Sequence, residues 1–173
     1  MPPDGRRAKG DARRRLLLDA TLRLVGRDGI AAVTQRAVAA EADVPSSAVL
    51  YYFDSVDALL VATLVEVNDR YLADLAAARS LAGLAERVAA CDREQAVAEF
   101  DLYLLAARRP DLRAELVRWD DGVDAAAARL APGREELFAA ALNGLYLRAA
   151  SSGLDVDSAT RVLEATGPGS SPG

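Results

Sequence analysis

Apolar side chains recur at helical spacing along most of the chain, and this pattern limits the possible folds more than any other feature. They return at i, i+3, i+4 and i+7 in long stretches such as residues 55–79 and 94–108. Alternating runs of β-branched residues, which strands favour, are almost absent, whereas 37 of the 173 residues are alanine, the strongest helix former. The sequence therefore predicts an all-α fold, and its 51% of hydrophobic residues can supply a core.

The residue types needed for several kinds of chemistry are missing. Histidine is absent, Cys91 is the only cysteine and Lys9 is the only lysine. These counts exclude a disulfide within one chain, a tetrahedral zinc site and a histidine-based catalytic dyad. Most acidic residues fall on the polar faces of predicted helices, so we expect no enzyme activity, no cofactor and no metal. Cys91 is interpreted as a small packing residue.

Neither a signal peptide nor an uncharged apolar stretch of about eighteen residues is found. We therefore expect a cytoplasmic protein with no membrane partner.

Charge divides the chain into two parts, although the net charge is only −5. Residues 1–53 hold nine basic and six acidic residues, or +3, which leaves twelve against twenty, or −8, for residues 54–173. Six of the basic residues lie within the first fifteen positions. We expect residues 1–12 to form a basic flexible arm. A solvated tail is the simpler explanation of such a run alone, and attraction to nucleic acid is the alternative.

The segment after the arm has the pattern of two short helices joined by a tight corner. A first helix is predicted from Arg13 to about Asp28, and Thr34 can cap a second short helix. Asp43 tolerates a left-handed backbone, and Pro45 disfavours continuation of the helix, so the chain breaks there. Ser46 or Ser47 then begins another helix, with Ser46 as a candidate N-cap. This order is typical of a helix-turn-helix that presents its second helix to the bases of DNA.

Residues 13–60 resemble the DNA-binding domain of the tetracycline-repressor (TetR) family of bacterial transcriptional regulators. The matching motif positions are Gly29, Thr34, Val38-Ala39, Ala42-Asp43-Val44, Tyr51-Tyr52-Phe53 and Asp57-Ala58-Leu59. The sequence departs from the family pattern at Asp43, which replaces a glycine, at Leu50, which replaces a tyrosine, and at Asp57, which stands where a phosphate-contacting lysine is common. The resemblance implies a helix-turn-helix domain over residues 13–53, followed by a helical regulatory and dimerisation domain over residues 54–165.

The resemblance also implies a double-stranded DNA operator as partner. Tyr51 and Tyr52 would end the recognition helix and reach phosphate, while Phe53 would pack inward. Closure of the small core by all three rings is the structural alternative. The candidate DNA-binding residues are Arg13, Arg14, Arg15, Thr34, Gln35, Arg36, Ser46, Ser47, Tyr51 and Tyr52.

The second domain is predicted to consist of long helices over about 55–79, 94–108, 111–130 and 134–151, with a shorter helix at 81–91. Asn68 lies on an apolar face, where it either bonds a neighbouring helix or contacts a ligand. Asp101 is either a pocket carboxylate or an ion-pair partner of Arg108 or Arg113. Thr63 is assigned to the solvent face of its helix. The candidate ligand-binding residues are Asn68, Tyr71, Phe100, Asp101, Tyr103 and Trp119.

The last two long helices carry more apolar surface than one chain needs to cover, which favours a homodimer. The candidate interface residues are Leu116, Val123, Leu137, Ala141, Gly144 and Leu145. Residues 166–173, rich in Gly, Pro and Ser, are expected to be disordered. Together these features indicate a DNA-binding transcriptional regulator, specifically a repressor released by an unknown small-molecule effector. An activator, a ligand-independent regulator and a helical protein-interaction adaptor are the alternatives.

Overall fold

The computed structural model describes residues 4–168, and within this range the chain forms nine α-helices and no strands. The helices are α1 (Asp4–Asp28), α2 (Gln35–Glu41), α3 (Ser46–Tyr52), α4 (Val56–Ala77), α5 (Leu81–Ala90), α6 (Arg93–Ala107), α7 (Arg113–Leu130), α8 (Glu135–Ser152) and α9 (Val156–Glu164). Short 3₁₀ helices at Ile30–Ala32 and Pro110–Leu112 lead into α2 and α7. The predicted all-α fold is confirmed.

The first three helices form the predicted helix-turn-helix. The Thr34 hydroxyl accepts a hydrogen bond from the Ala37 amide and so caps α2, and Asp43 adopts φ 51° at the corner. Gly29 adopts φ 82° directly after Asp28, so α1 ends there. Val38, Val49 and Phe53 are buried and pack with α1 and α4 in one core. Phe53 therefore points inward, as the resemblance implied.

Two expectations at the chain ends need correction. α1 begins at Asp4, so residues 4–12 are helical and do not form a separate flexible arm; alanine, arginine and lysine are good helix formers and extend the helix. Thr166 is 1% exposed and its hydroxyl donates to the Leu163 carbonyl, so the predicted disorder does not begin there. Residues 1–3 and 169–173, the rest of these two predicted segments, lie outside the described residues.

A second core is built from α4, α5, α7, α8 and α9. α9 was not predicted from the sequence. Its N-cap is Asp155, whose side chain accepts a hydrogen bond from the Ser158 amide, and α9 buries Ala159 and Leu163 against this core. Thr63 was assigned to the solvent face, but it is 1% exposed, because its hydroxyl donates to the Leu59 carbonyl within α4 and leaves the methyl group free to pack.

α6 connects the two parts of the structure. It packs against α1 of the head on one side and against α7 and α8 of the second core on the other. Among residues 4–168, no single helix is long and apolar enough to cross a membrane; α3 and α4 pass that test only when taken together, and they are bent by 69°.

Candidate DNA interface and ligand cavity

One face of α3 is open to solvent and carries the side chains expected to read DNA. Ser46, Ser47, Leu50 and Tyr51 are all exposed, with Tyr51 at 81% and Leu50 at 53%. Tyr52 is half-buried, and its ring meets that of Tyr51 edge to face at 5.0 Å between centroids. Tyr51 therefore presents its hydroxyl outward, while Tyr52 helps to hold α3 on the head.

Basic side chains of α1 lie beside this face. A surface crevice is bounded by Lys9, Arg13 and Leu16 of α1 and by Tyr51 and Tyr52 of α3. The Arg14 guanidinium lies over the Phe53 ring, 5.4 Å from its centroid, a cation–π contact that ties the charge to the head. Basic side chains of α1 and the phenol groups of Tyr51 and Tyr52 therefore lie side by side at the end of α3.

The charges of the head fall into two groups. Arg23 and Arg27 both pair with Glu41, at 2.7 and 3.1 Å, and so join α1 to α2. By contrast, among the side chains of residues 8–168 no ion pair involves Arg13, Arg14, Arg15 or Arg36, all of which are exposed. The second group is therefore available for phosphate groups, whereas the first stabilises the fold of the head.

The remaining head candidates have mixed surroundings. Gln35 is half-buried in the first turn of α2, next to the exposed cap residue Thr34. The N-cap position of α3 is held by Pro45, and Ser46 lies within the helix, so the expected capping role of Ser46 is wrong. The Ser46 hydroxyl therefore does not cap α3.

The second domain contains a cavity of about 260 Å³ between α6, α7 and α8, which we call the aromatic cavity. Its lining residues are Ala96, Glu99, Phe100, Tyr103, Trp119, Asp120, Asn143 and Tyr146. Trp119 stacks on Tyr71 with centroids 3.7 Å apart and planes 6° apart, and Tyr103 meets Trp119 at 5.9 Å. This arrangement offers ring faces to a flat apolar ligand.

Glu99 places an acid in this apolar wall. Its Oε1 accepts a hydrogen bond of 2.8 Å from Gln95 Nε2, one turn earlier on α6. Burial raises the pKa of the Glu99 carboxyl above the ordinary value of 4.5, and the hydrogen bond from Gln95 and the charge of Arg70 oppose this rise only in part. Asp120 is the other acidic residue of the lining, and no basic side chain lines the aromatic cavity.

A second, smaller space of about 150 Å³ adjoins the first and shares Glu99 and Tyr146 with it. We call it the polar crevice; its lining residues are Leu22, Val67, Arg70, Tyr71, Asp74, Arg87, Ala90, Cys91, Gln95, Glu99 and Tyr146. Tyr71 is 5% exposed, and its hydroxyl has no hydrogen-bond partner within the described residues. Burial raises the pKa of the Cys91 thiol to about 12, which keeps it protonated and unreactive.

The structure brings together four of the six predicted ligand residues. Phe100, Tyr103 and Trp119 line the aromatic cavity, and Tyr71 supports Trp119 from behind. Asn68 is buried and donates to the carbonyl and carboxylate oxygens of Glu115, which is the neighbouring-helix alternative. Asp101 does not line the cavity, and it forms no ion pair with Arg108 or Arg113 in the described part of the chain.

Glu99, Asn143 and Tyr146 were missed by the sequence interpretation. Glu99 lies three residues after Ala96 and four before Tyr103, so helical spacing placed it on the cavity face. Its acidic character pointed to solvent instead.

α8 presents a stripe of small and apolar side chains to solvent, which we call the α8 stripe. It consists of Leu137, Ala140, Gly144, Leu147 and Ser151, spaced alternately by three and four residues. Leu137 is 51% and Leu147 57% exposed, and a Cβ on Gly144 would meet no atom within 4 Å. This spacing is that of a helix–helix seam.

Some predicted interface residues lie elsewhere. Val123 and Leu145 are 4% and 2% exposed and pack in the second core, so they serve their own chain. Ala141 and Leu116 are half-buried, and Leu116 contacts the first core. Among the six candidates, Leu137 and Gly144 are open to a partner.

Comparison with known protein families finds two matches along the chain. Residues 17–63 match the family described as "Bacterial regulatory proteins, tetR family", and residues 73–169 match "Tetracyclin repressor-like, C-terminal domain". None of the curated protein sequences matches the chain.

Solved structures show the same relationship over almost the whole length. A TetR family member from Streptomyces coelicolor A3 is 35% identical, with 91% of this chain and 99% of that chain covered and a TM-score of 0.71. The multidrug binding protein EbrR complexed with malachite green is 36% identical, with 90% and 98% covered and a TM-score of 0.66. EbrR complexed with ethidium is 34% identical, with 89% and 97% covered and a TM-score of 0.63. With its helix-turn-helix, its second helical domain and these matches, the chain belongs to the TetR family of bacterial transcriptional regulators.

Proposed function

We propose that the chain is a repressor that binds an operator as a homodimer through residues 13–53 and is released when a small molecule occupies the aromatic cavity in residues 54–165. The observation that carries the DNA half is the exposed face of α3, with Ser46, Ser47 and Tyr51, beside arginines that pair with no acid in the described chain. Phosphate contacts by these arginines would supply affinity, and the α3 side chains would read bases.

Two features support release by a ligand. The cavity lies against α6, and the same helix packs on α1 of the head. A ligand that requires α6 to shift will therefore disturb the position of the head. It can release DNA only to the extent that it binds the DNA-incompetent arrangement more tightly than the competent one.

The α8 stripe supports the homodimer. Two copies can bring their stripes together about a two-fold axis, with Gly144 permitting close approach of the helices. One short recognition helix reads few base pairs, so a two-fold pair of heads doubles the site that is read. We propose that Leu137, Gly144 and Leu147 form the centre of this seam.

The DNA half is tested by selecting bound fragments from upstream genomic DNA and measuring affinity for the selected site as salt is varied. Arg13→Ala should weaken all DNA sequences together and reduce the slope of log affinity against log salt by roughly one unit. Arg93→Ala, which removes an exposed arginine of α6, is the matched control and should leave the slope unchanged. Ser47→Arg should damage the selected site more than scrambled DNA. Equal affinity of the wild-type chain for both DNAs would instead favour a protein-interaction adaptor.

The release half is tested with malachite green and ethidium, because a relative is known in complex with each. Either dye should lower the operator affinity of the wild-type chain and leave a Trp119→Ala variant bound. The variant separates an effect of the dye on the protein from an effect of the dye on the DNA. Transcription from the selected operator should rise with dye; a fall would identify an activator. Dye binding without any change in DNA affinity would favour a ligand-independent regulator.

A further inference from the structure

We propose that the effector is an elongated aromatic cation that occupies both compartments, with its flat body in the aromatic cavity, its positive charge at Glu99 and a hydrogen-bonding group at Tyr71 in the polar crevice. This inference rests on the ligand site of the proposed function and names the chemistry of its ligand.

The charge balance of the aromatic cavity selects a cation. Its charged lining residues are Glu99 and Asp120, both acidic, and four of its other six lining residues are aromatic. The faces of Trp119, Tyr103 and Tyr146 carry negative electrostatic potential and attract a cation in the same sense as the two carboxylates. An anion would meet repulsion from every charged group of this lining.

Glu99 has hydrogen-bonding capacity to spare. A carboxylate can accept several hydrogen bonds, yet within the described residues Gln95 Nε2 is its one side-chain donor. Arg70, the nearby cation, is already engaged by Asp19 at 2.8 Å and Glu66 at 3.1 Å, and Arg87 is engaged by Asp74. The neighbouring cations are thus committed to other acids, and a ligand N–H or fixed positive charge can take the open side of Glu99.

Tyr71 is the independent observation that extends the site beyond the aromatic cavity. Its ring is held by the stack on Trp119, so the hydroxyl cannot turn away. That hydroxyl is buried and has no hydrogen-bond partner within the described residues, and Tyr71 is a lining residue of the polar crevice. Glu99 and Tyr146 line both compartments. A ligand that extends from the aromatic cavity past Glu99 would therefore approach Tyr71 in the polar crevice.

Three related tricyclic probes separate charge from hydrogen bonding. Proflavin is a cation with two amino groups, N-methylacridinium is a cation without an N–H group, and acridone is neutral. Binding of each to the DNA-free, full-length dimer is measured by fluorescence titration. We expect both cations to bind at least about tenfold more tightly than acridone, since a charge-assisted interaction is roughly twice as strong as a neutral one.

Two substitutions then assign the roles. Glu99→Gln keeps an acceptor for Gln95 but removes the charge; it should weaken both cations about tenfold and leave acridone unchanged. Tyr71→Phe should weaken proflavin about fivefold and leave N-methylacridinium unchanged, because of the two cations only proflavin has N–H groups that can bond the hydroxyl. Asp120→Asn, at an exposed lining residue, is the matched charge control and should cost each cation less than Glu99→Gln. Thermal unfolding of each variant confirms that it is folded.

The inference is overturned if acridone binds as tightly as the cations, if Glu99→Gln leaves the proflavin Kd unchanged, or if none of the probes binds. A Tyr71→Phe variant that weakens both cations equally overturns the role of the crevice. These titrations contain no DNA, so their failure leaves the operator proposal standing. If the probes bind with the expected pattern but do not release the protein from DNA, the proposed function is contradicted and the inference about the effector is not.

Discussion

Arg109 pairs with Asp57 across 52 residues of sequence and joins the segment before α7 to the first turn of α4. The same guanidinium also pairs with Asp111 at 2.6 Å. The hydrogen bonds that Arg109 donates to Asp111 and Asp57 raise the pKa of its guanidinium, which stays charged. Asp57 occupies the position where the TetR family commonly has a phosphate-contacting lysine, so in this chain the position serves an internal contact between α4 and the segment before α7.

Replacing Asp57 by lysine should remove the ion pair with Arg109 and add a contact with a DNA phosphate. We expect Asp57→Lys to increase affinity for all DNA sequences and to steepen the log–log salt slope by roughly one unit, since one further phosphate is neutralised. Asp69→Lys is the matched control, because Asp69 also pairs with an arginine, Arg118, but lies about 18 Å further along α4 from the head. Salt titrations of both variants check this, and equal slopes for the two would contradict it.

The contact between α1 and α6 depends on a glycine. A Cβ on Gly26 would overlap the backbone carbonyl of Glu94, so a larger residue must push the helices apart. We expect Gly26→Ala to destabilise the protein by about 1–3 kcal/mol, as overpacking does. Gly10→Ala, in the same helix but with no atom within 4 Å of the new Cβ, should instead stabilise by about 0.5–1 kcal/mol. Chemical denaturation measures both, and a loss of stability at Gly10 as large as that at Gly26 would contradict this assignment.

The head could be predicted closely because its signals are local. Thr34 and Ser55 cap α2 and α4 through the amides three residues later, and Asp43 takes the left-handed conformation that its residue type permits. None of these features needs information from distant parts of the chain. The inward position of Phe53 was instead implied by the resemblance to the TetR family, and Phe53 is buried in the first core.

The second domain was predicted less well because its details depend on tertiary packing. α9 has nine residues, too few to be stable alone, and it forms because Ala159 and Leu163 are buried. Leu145 was predicted to lie in an interface because the sequence does not show that α5 and α9 pack against α8. Glu99 was not among the predicted ligand residues, because an acid in an apolar wall is costly, and such an exception is characteristic of a binding site.

The partly buried carboxyl of Glu99 should make stability depend on pH. Its pKa is raised by burial above 4.5, so the protonated form favours folding, and this contribution is lost as pH rises through the raised value. We therefore expect Glu99→Gln to raise the Tm relative to the wild-type chain at neutral pH, with a gap that shrinks as pH falls toward the ordinary carboxyl value. The charged and titratable neighbours of Glu99 are Arg70, Tyr71, Asp74, Arg87, Cys91, Asp92, Tyr103, Glu115, Asp120 and Tyr146.

Thermal unfolding between about pH 4 and about pH 8 measures this gap. Glu136→Gln changes an exposed acid of α8 and serves as the control, with no such trend expected. A gap between Glu99→Gln and the wild type that stays constant over this range would show that ionisation of Glu99 is not its cause.

Charge on the α8 stripe should separate the two copies of the dimer without unfolding either. Leu147 is 57% exposed in the single chain, so Leu147→Glu costs little there but buries a carboxylate in the seam, where the two-fold axis brings a second copy close. We expect this variant to sediment as a folded monomer at micromolar concentration and to lose operator binding. Leu104→Glu, at a residue 45% exposed on α6, is the matched control and should remain dimeric. Leu145→Glu should fail differently, by unfolding, because Leu145 is 2% exposed within its own core. Sedimentation and circular dichroism distinguish these outcomes; a Leu147→Glu variant that stays dimeric and binds the operator as the wild type does would place the seam elsewhere.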